Sequence, residues 1–155
     1  MKYWAWYIGA VVLVAALGWM PFLGTDVARL RPVELISVSR EEAQVLVETD
    51  TGDAGRGRTL ELALEDLHDS TPGEMFLETA EYLLITPEAQ SLLPELTKTL
   101  RPSCKICLAE GPVDLEKAAA YLSVHEPELT LQDYRTGEKD IPILIMEGER
   151  GQLVP

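Results

Sequence analysis

The amino-terminal end of the chain carries a long run without a charged side chain, from Tyr3 to Thr25. Within this run, the residues from Trp4 to Leu23 would span about 30 Å as an α-helix, which matches the hydrocarbon core of a bilayer. Aromatic residues, which prefer the membrane interface, lie near both of its ends. We therefore predict a transmembrane anchor over residues 3–25 that contacts the lipid bilayer, with these interfacial side chains: Trp4, Trp6, Trp19 and Phe22.

A cleaved signal peptide is the competing interpretation of this run. Signal peptides have a shorter apolar region that ends at a cleavage site with small residues. Here Ala15 and Ala16 lie inside the run, which continues through large residues to Leu23. The run is therefore more typical of a retained anchor. Its orientation stays open, because a literal charge count favours a cytoplasmic domain without a clear bias, and the basic residues near the run are Lys2, Arg29, Arg31 and Arg40.

The rest of the chain, residues 26–155, has the length of one domain. The full chain contains 26 acidic and 13 basic residues, for a formal net charge of −13. Such a surface repels the phosphates of nucleic acids and the anionic head groups of lipids. We therefore expect no nucleic-acid partner and no membrane attachment through a basic patch, whereas cationic partners remain possible.

The first half of this domain contains two segments rich in β-forming residues, followed by an amphipathic helix. The segments Val33–Val38 and Ala43–Thr49 are separated by a polar turn and predict a hairpin. The segment Asp50–Arg58 contains three glycines and is predicted to be a loop. Thr59 is then the expected N-cap of a helix with one apolar stripe: Leu60, Ala63, Leu64 and Leu67.

The second half alternates strands and helices. We predict strands over Tyr82–Ile85, Ser103–Ala109 and Ile143–Met146 and a helix over Val113–Ser123. Thr86 is the expected N-cap of a further helical segment. Pro94 interrupts this segment, so Glu88–Leu93 and Glu95–Leu100 are predicted to be two short helices or one kinked helix. The order β-β-α-β-α-β-α-β predicts a single α/β domain with a mixed sheet of about five strands. The N-terminal hairpin supplies the antiparallel pair, and helices cover the parallel strands.

Cys104 and Cys107 form a C-x-x-C pattern, which occurs in redox proteins and in zinc sites. Redox pairs lie at a helix N-terminus, whereas this pair lies in a predicted strand, where a separation of three places the side chains on opposite faces. His68 and His125 do not have the spacing of additional zinc ligands. We predict two free, structural cysteines, no metal and no cofactor.

The loop with Asp50, Gly52, Asp53, Gly55 and Gly57 is the one candidate for a ligand or partner site. It lacks the spacing and the bidentate glutamate of an EF-hand, and its glycine order is not that of a phosphate-binding loop. A flexible connection is therefore the favoured interpretation. No nucleophile elbow and no distinct acid–base pair is recognisable, so we predict no catalytic residues and a protein that is not an enzyme.

The order of these segments over about residues 24 to 147 resembles the first domain of the spore germinant receptor C subunits, the GerAC or Ger(x)C family of membrane-bound lipoproteins. Residues 24–30 stand where the family has a Gly-Cys-Trp-Asp motif and a short polar helix, and the hairpin follows. Residues 55–63 resemble the glycine-containing segment before the first helix. The run of a strand, a helix ending in Arg and a strand ending in Gly is similar at residues 80–85, 87–101 and 104–111.

The resemblance implies a single-pass protein of the cell membrane or the spore inner membrane, with an extracytoplasmic domain that contacts other germinant receptor subunits during germination. Two departures qualify it. Thr25 stands where the family has a cysteine that carries a lipid, so the apolar run itself has to hold the protein. The chain also ends after what corresponds to the first domain, whereas the family continues into later ones.

Three hypotheses about function follow. The leading one is a membrane-anchored, non-enzymatic domain that acts through protein partners, as a truncated germinant receptor C subunit would. The alternative is a module of the cell envelope that binds a small ligand or a cation. A thiol-based redox protein is the third.

Overall fold

The central element of the structure, a computed structural model, is a seven-stranded sheet. The structure describes residues 3, 4, 6, 8, 30–137, 140–148 and 150–155. The strands along the chain are β1 Leu30–Pro32, β2 Leu35–Glu41, β3 Gln44–Thr49, β4 Ala54–Gly57, β5 Glu74–Phe76, β6 Tyr82–Ile85, β7 Lys105–Ala109, β8 Ile143–Glu147 and β9 Arg150–Val154. The helices are α1 Leu60–Ser70, α2 Leu93–Thr99, α3 Leu115–Leu122 and α4 Leu131–Thr136, with 3₁₀ helices at Leu77–Thr79 and Pro87–Leu92.

The chain divides into two units, residues 1–30 and residues 31–155. In the first, Tyr3, Trp4, Trp6 and Ile8 are helical and exposed. Most of the predicted anchor over residues 3–25, including Trp19 and Phe22, lies outside the described residues. Among the residues that are described, no helix has the length and apolar character needed to cross a membrane.

The second unit is a mixed α/β domain, as predicted. The sheet has the strand order β4-β3-β2-β6-β7-β8-β9. The four strands β2, β6, β7 and β8 run parallel, while β3, β4 and β9 run antiparallel to their neighbours. The prediction of about five strands was wrong, because the sheet also contains β4 and β9, and β1 pairs with β5 in a separate two-stranded sheet.

The N-terminal hairpin is confirmed as β2 and β3. Their register runs from Ile36 opposite Thr49 to Glu41 opposite Gln44. The turn is shorter than predicted, because β2 continues through Ser39 and Arg40 and only two residues connect the strands.

The two faces of the sheet have separate apolar cores. The first face packs against α1, α2 and α4, and its core includes Val38, Val47, Leu83, Ile106, Leu67, Leu96 and Leu131. The second face packs against α3, and its core includes Leu35, Leu84, Cys107, Ala118, Leu122 and Leu144. The second face is thus covered by fewer helices than the first. The helix α1 confirms the predicted apolar stripe, and α3 confirms the helix predicted over Val113–Ser123. Thr59 is the N-cap of α1, where it accepts a hydrogen bond from the Leu62 N–H.

The strand β4 corrects the prediction of a loop over Asp50–Arg58. Its glycines permit a close approach of α1, since a Cβ at Gly55 would lie closer than 3.0 Å to backbone atoms of Ala63 and Leu67. The Asp66 carboxylate accepts the Arg56 N–H at 2.8 Å, which satisfies a backbone donor of this edge strand. The glycines therefore serve helix–strand packing instead of a loop.

Two further elements were not predicted. The strand β9 pairs with β8 across a turn at Gly148, whose φ of 66° suits glycine. The helix α4 begins with a capping box, in which Thr130 and Asp133 bond each other's backbone N–H groups. The predicted division into two short helices is confirmed, but its position at Pro94 was wrong. The 3₁₀ helix Pro87–Leu92 comes first, and Pro94 lies in the first turn of α2, where a proline is tolerated.

Candidate functional site

A crevice opens where the chain leaves β6 and β7 toward opposite faces of the sheet. After β6, the 3₁₀ helix Pro87–Leu92 places Ala89 and Leu92 in the core of the first face. After β7, Gly111 adopts a φ of +87°, and the chain continues into α3 on the second face. Neighbouring parallel strands whose connections diverge in this way leave a gap at their carboxyl ends, where α/β proteins commonly bind ligands.

The crevice has a volume of about 760 Å³, which lies in the range of small-molecule sites. Its apolar lining comes from the second face of the sheet and from the segment before α3: Leu46, Leu84, Ala109, Val113 and Leu115. Hydroxyl groups come from Ser37, Ser39 and Thr86. The crevice is therefore an apolar site with a few polar groups.

Strand β2 leaves this space open because of the size of its side chains. Successive side chains of a strand point to opposite faces. On the first face β2 carries Ile36 and Val38, which belong to the core. On the second face it carries Ser37 and Ser39, which are too small to fill the space beside α3.

The Thr86 hydroxyl is a polar group without a visible role in the fold. Its Oγ1 is buried and has no hydrogen-bond partner among the described residues. Thr86 precedes the 3₁₀ helix, as predicted, but the prediction that its side chain caps a helix was wrong. A buried hydroxyl without a partner costs about 1–3 kcal/mol, and the residue that carries it lines the crevice.

The rim of the crevice is acidic. It carries four carboxylates, from Glu41, Glu48, Glu88 and Glu110, and one guanidinium, from Arg40. That guanidinium donates a hydrogen bond to the hydroxyl of Ser91 at 3.2 Å. The potential inside the crevice is therefore negative.

The amino end of α3 borders the crevice, and a carboxylate of the same chain already interacts with the dipole of this helix. The Asp114 carboxylate accepts a hydrogen bond from the Lys117 N–H at 3.3 Å. This bond, together with the Lys117 ammonium, lowers the pKa of Asp114. The helix end is therefore neutralised by a residue of its own chain.

The predicted ligand loop lies at the other end of β2. The Asp50 carboxylate accepts hydrogen bonds from the N–H groups of Glu34 and Leu35, each at 3.3 Å, at the amino end of that strand. The Thr51 hydroxyl donates to the Asp53 carboxylate at 2.8 Å. These bonds support the turn itself. The remaining members of the predicted set are Gly52, which has a φ of +84°, and the packing glycines Gly55 and Gly57. A role of this loop in binding stays a prediction.

The two cysteines lie on opposite faces of the sheet, as predicted, although β7 begins at Lys105 and Cys104 directly precedes it. Cys104 belongs to the core of the first face and Cys107 to the core of the second, and both are free and fully buried. Burial raises the pKa of each thiol to about 12. Such thiols remain protonated at neutral pH and are poor nucleophiles. In the described part of the chain, no group of three or more His, Cys, Asp or Glu residues is placed to hold a metal ion.

Sequence patterns missed the crevice, although one signal was present. Thr86 and Glu110 directly follow two predicted strands of a predicted parallel sheet. The carboxyl ends of such strands are the expected place for a ligand, so these residues could have been selected. The contribution of β2 to the crevice could not be predicted, because it depends on which strand lies beside β6.

The candidate site is assigned from its geometry, because comparison with known proteins gives no match. No protein-family model, no curated protein and no solved structure matches this chain. The relation to germinant receptor C subunits thus remains a prediction from the order of segments.

Proposed function

We propose that this chain is a non-enzymatic binding domain that takes a small ligand in the crevice at the carboxyl ends of β2, β6 and β7. The observation that carries the proposal is the crevice itself, which combines an apolar lining with three hydroxyl-bearing residues, Ser37, Ser39 and Thr86. This is the composition of a site that holds a ligand by apolar contact and orients it with a few polar groups.

The lining favours binding over catalysis. A hydroxyl nucleophile needs a base within hydrogen-bond reach. His68 and His125 are exposed residues that do not line the crevice, and no described residue, a rim carboxylate included, bonds the buried Thr86 hydroxyl. The thiols of Cys104 and Cys107 are buried and protonated. The side chains in the crevice are therefore suited to contact and hydrogen bonding.

The second part of the proposal concerns location. Residues 3–25 form a single transmembrane anchor, and the domain acts outside the cytoplasm together with partner membrane proteins, as the resemblance to germinant receptor C subunits implies. What supports this part is the uncharged run with aromatic residues at both ends and the order of segments over residues 24 to 147. The ligand would then be sensed by a membrane assembly of which this chain is one component.

A crevice-filling variant tests the binding proposal. Ser39→Trp places a large ring in the crevice, while Gln152→Trp places the same ring on an exposed position of β9 outside it. We expect small molecules detected by saturation-transfer NMR with the full chain in nanodiscs to bind wild type and Gln152→Trp but not Ser39→Trp. Binding that survives in folded Ser39→Trp, as judged by circular dichroism, would contradict the proposal.

Co-purification tests the partner proposal. The tagged full chain, extracted from native membranes with a mild detergent, should recover other membrane proteins in fixed proportion. Recovery of the chain alone, under conditions that preserve a known membrane complex of the same cells, would contradict it.

A further inference from the structure

We infer that the ligand of the crevice is a small organic cation, an amine attached to an apolar body. This inference rests on the proposed function, since it names the class of ligand for the same site. Two properties of the crevice carry it: an apolar lining that can contact the body of a ligand, and an acidic rim that can contact an ammonium group.

The apolar part of the ligand follows from the lining. Leu84 and Ala109 lie on adjacent parallel strands, with exposures of 0% and 5%, and Leu46 on β3 is 8% exposed. Val113 and Leu115, at the entry to α3, are half-buried. A ligand that covers these half-buried groups removes further apolar surface from water, so an apolar ring or chain is favoured over a sugar or an inorganic ion.

The positive charge of the ligand follows from the rim. Four carboxylates and one guanidinium line the crevice, and the guanidinium donates a hydrogen bond to Ser91. Glu48 is half-buried, which limits the screening of its charge by solvent. A cation entering the crevice is therefore attracted by several charges of the same sign, whereas an anion is repelled.

An anionic ligand is the main rival, because two helices begin at this edge of the sheet. A helix N-terminus is equivalent to about half a positive charge. At α3 the Asp114 carboxylate already bonds a terminal N–H, and the 3₁₀ helix begins with Pro87, which has no N–H to donate. These partial charges are smaller than the excess of full negative charges on the rim, so the cation is favoured.

An inorganic cation is a weaker rival. A metal ion needs several oxygen or nitrogen ligands that converge at about 2–2.6 Å. Among the described residues, no cluster of three or more acidic or metal-binding side chains has that arrangement. The carboxylates are distributed around the rim, which suits a larger cation with a diffuse contact surface.

Three indole compounds that differ in charge test the inference. Tryptamine is a cation at pH 7, tryptophol is its neutral alcohol, and indole-3-acetate is an anion, while all three carry the same ring. With the full chain in phosphatidylcholine nanodiscs, we expect tryptamine to bind at least about tenfold more tightly than tryptophol, and indole-3-acetate to bind most weakly. Added salt should weaken only the binding of tryptamine.

Variants that remove a single negative charge test whether the rim carboxylates cause the preference for a cation. Glu48→Gln and Glu110→Gln should each weaken tryptamine binding about two- to fivefold and leave tryptophol unchanged. Glu147→Gln, at an exposed residue of β8 outside the crevice, is the matched control and should change neither.

The outcomes separate the two proposals. If tryptophol or indole-3-acetate binds as tightly as tryptamine and Ser39→Trp blocks that binding, the crevice binds ligands but the inference about charge is wrong. Equal weakening by Glu147→Gln would also contradict it. If none of the three compounds binds in a manner that Ser39→Trp abolishes, both this inference and the proposed function fail.

Discussion

Gly55 lies on β4 against helix α1, at a contact too close for any other residue. A Cβ there would approach the Ala63 carbonyl oxygen and the Leu67 nitrogen to less than 3.0 Å, and both are backbone atoms that cannot rotate away. The residue therefore fixes the distance between a strand and the helix that covers it.

We expect Gly55→Ala to lower the free energy of unfolding by about 2–3 kcal/mol, because α1 has to move from the sheet. Gly52→Ala is the control, since its Cβ would meet no atom within 4 Å and only the φ of +84° opposes it, for about 1 kcal/mol. Urea unfolding followed by circular dichroism measures both. Equal effects of the two substitutions would show that the close packing of α1 on β4 is not important for stability.

The two buried thiols predict a loss of stability at high pH. Each has a folded-state pKa of about 12, above the ordinary thiol pKa of 9.0. The folded state therefore keeps a proton that the unfolded state releases. The protonated thiols therefore contribute to the free energy of unfolding in full below about pH 9. This contribution is lost as the pH rises toward 12, at about 1.4 kcal/mol per pH unit for each thiol.

The double variant Cys104→Ala/Cys107→Ala isolates this effect from other groups that titrate in the same range. Its unfolding free energy should fall less steeply than that of wild type between pH 9 and 12. Parallel curves would mean that the thiols are not buried as the structure has them.

At the residue scale, the sequence predicted what depends on local spacing. The opposite faces of Cys104 and Cys107 follow from a separation of three in a strand. The role of Gly55 could not be predicted, because it depends on a helix that packs against the strand from later in the chain. The unpartnered hydroxyl of Thr86 likewise depends on tertiary contacts.

At the scale of elements, β4 shows how a weak strand can be held at the edge of a sheet. It has four residues, two of them glycine, and pairs with β3 on one side only. On its other side, Asp66 of α1 accepts the Arg56 N–H, and the Ser70 hydroxyl donates to the Ala54 carbonyl. The helix thus covers an edge that could otherwise pair with another chain.

Removing this cover should loosen the strand. Asp66→Ala is expected to cost about 1 kcal/mol and to speed the hydrogen exchange of the Arg56 amide, which loses its acceptor. Glu65→Ala, at an exposed neighbouring position of the same helix, is the control and should stay within about 0.5 kcal/mol of wild type. Unchanged exchange at Arg56 in Asp66→Ala would contradict this account of the edge.

The elements that were predicted correctly are those with a repeated apolar pattern. The stripe of α1 and the apolar positions of α3 extend over two turns or more, and β2 and β3 contain several β-branched residues. The missed elements lack such a pattern: β4 is rich in glycine, β9 begins with Arg150 and Gly151, and α4 has six residues. Their structure depends on pairing and packing with distant parts of the chain.

At the scale of the whole molecule, the crevice is a consequence of topology. Chain alternation predicted an α/β domain with parallel neighbours, but it did not give the order of strands or the face on which each helix packs. The crevice can be predicted only when both the strand order and the helix faces are known, because it lies where the connections after β6 and β7 diverge to opposite faces. The small side chains of Ser37 and Ser39 on β2 leave space for the crevice only because β2 lies beside β6.

The membrane assignment belongs to the same scale and has a different basis. It depends on the composition of residues 3–25 and is independent of the domain's topology.

A residue-resolved map of ligand binding tests the crevice most directly. In a tryptamine titration of the isotope-labelled full chain, the amide signals of Ser37, Ser39, Thr86, Glu110 and Gly111 should shift together and saturate at one concentration. Ser37 and Ser39 lie on β2, Thr86 directly follows β6, Glu110 and Gly111 directly follow β7, and all five line the crevice. Shifts centred on residues Asp50–Gly57, or scattered over the acidic surface, would contradict the assignment of the binding site to the carboxyl ends of β2, β6 and β7.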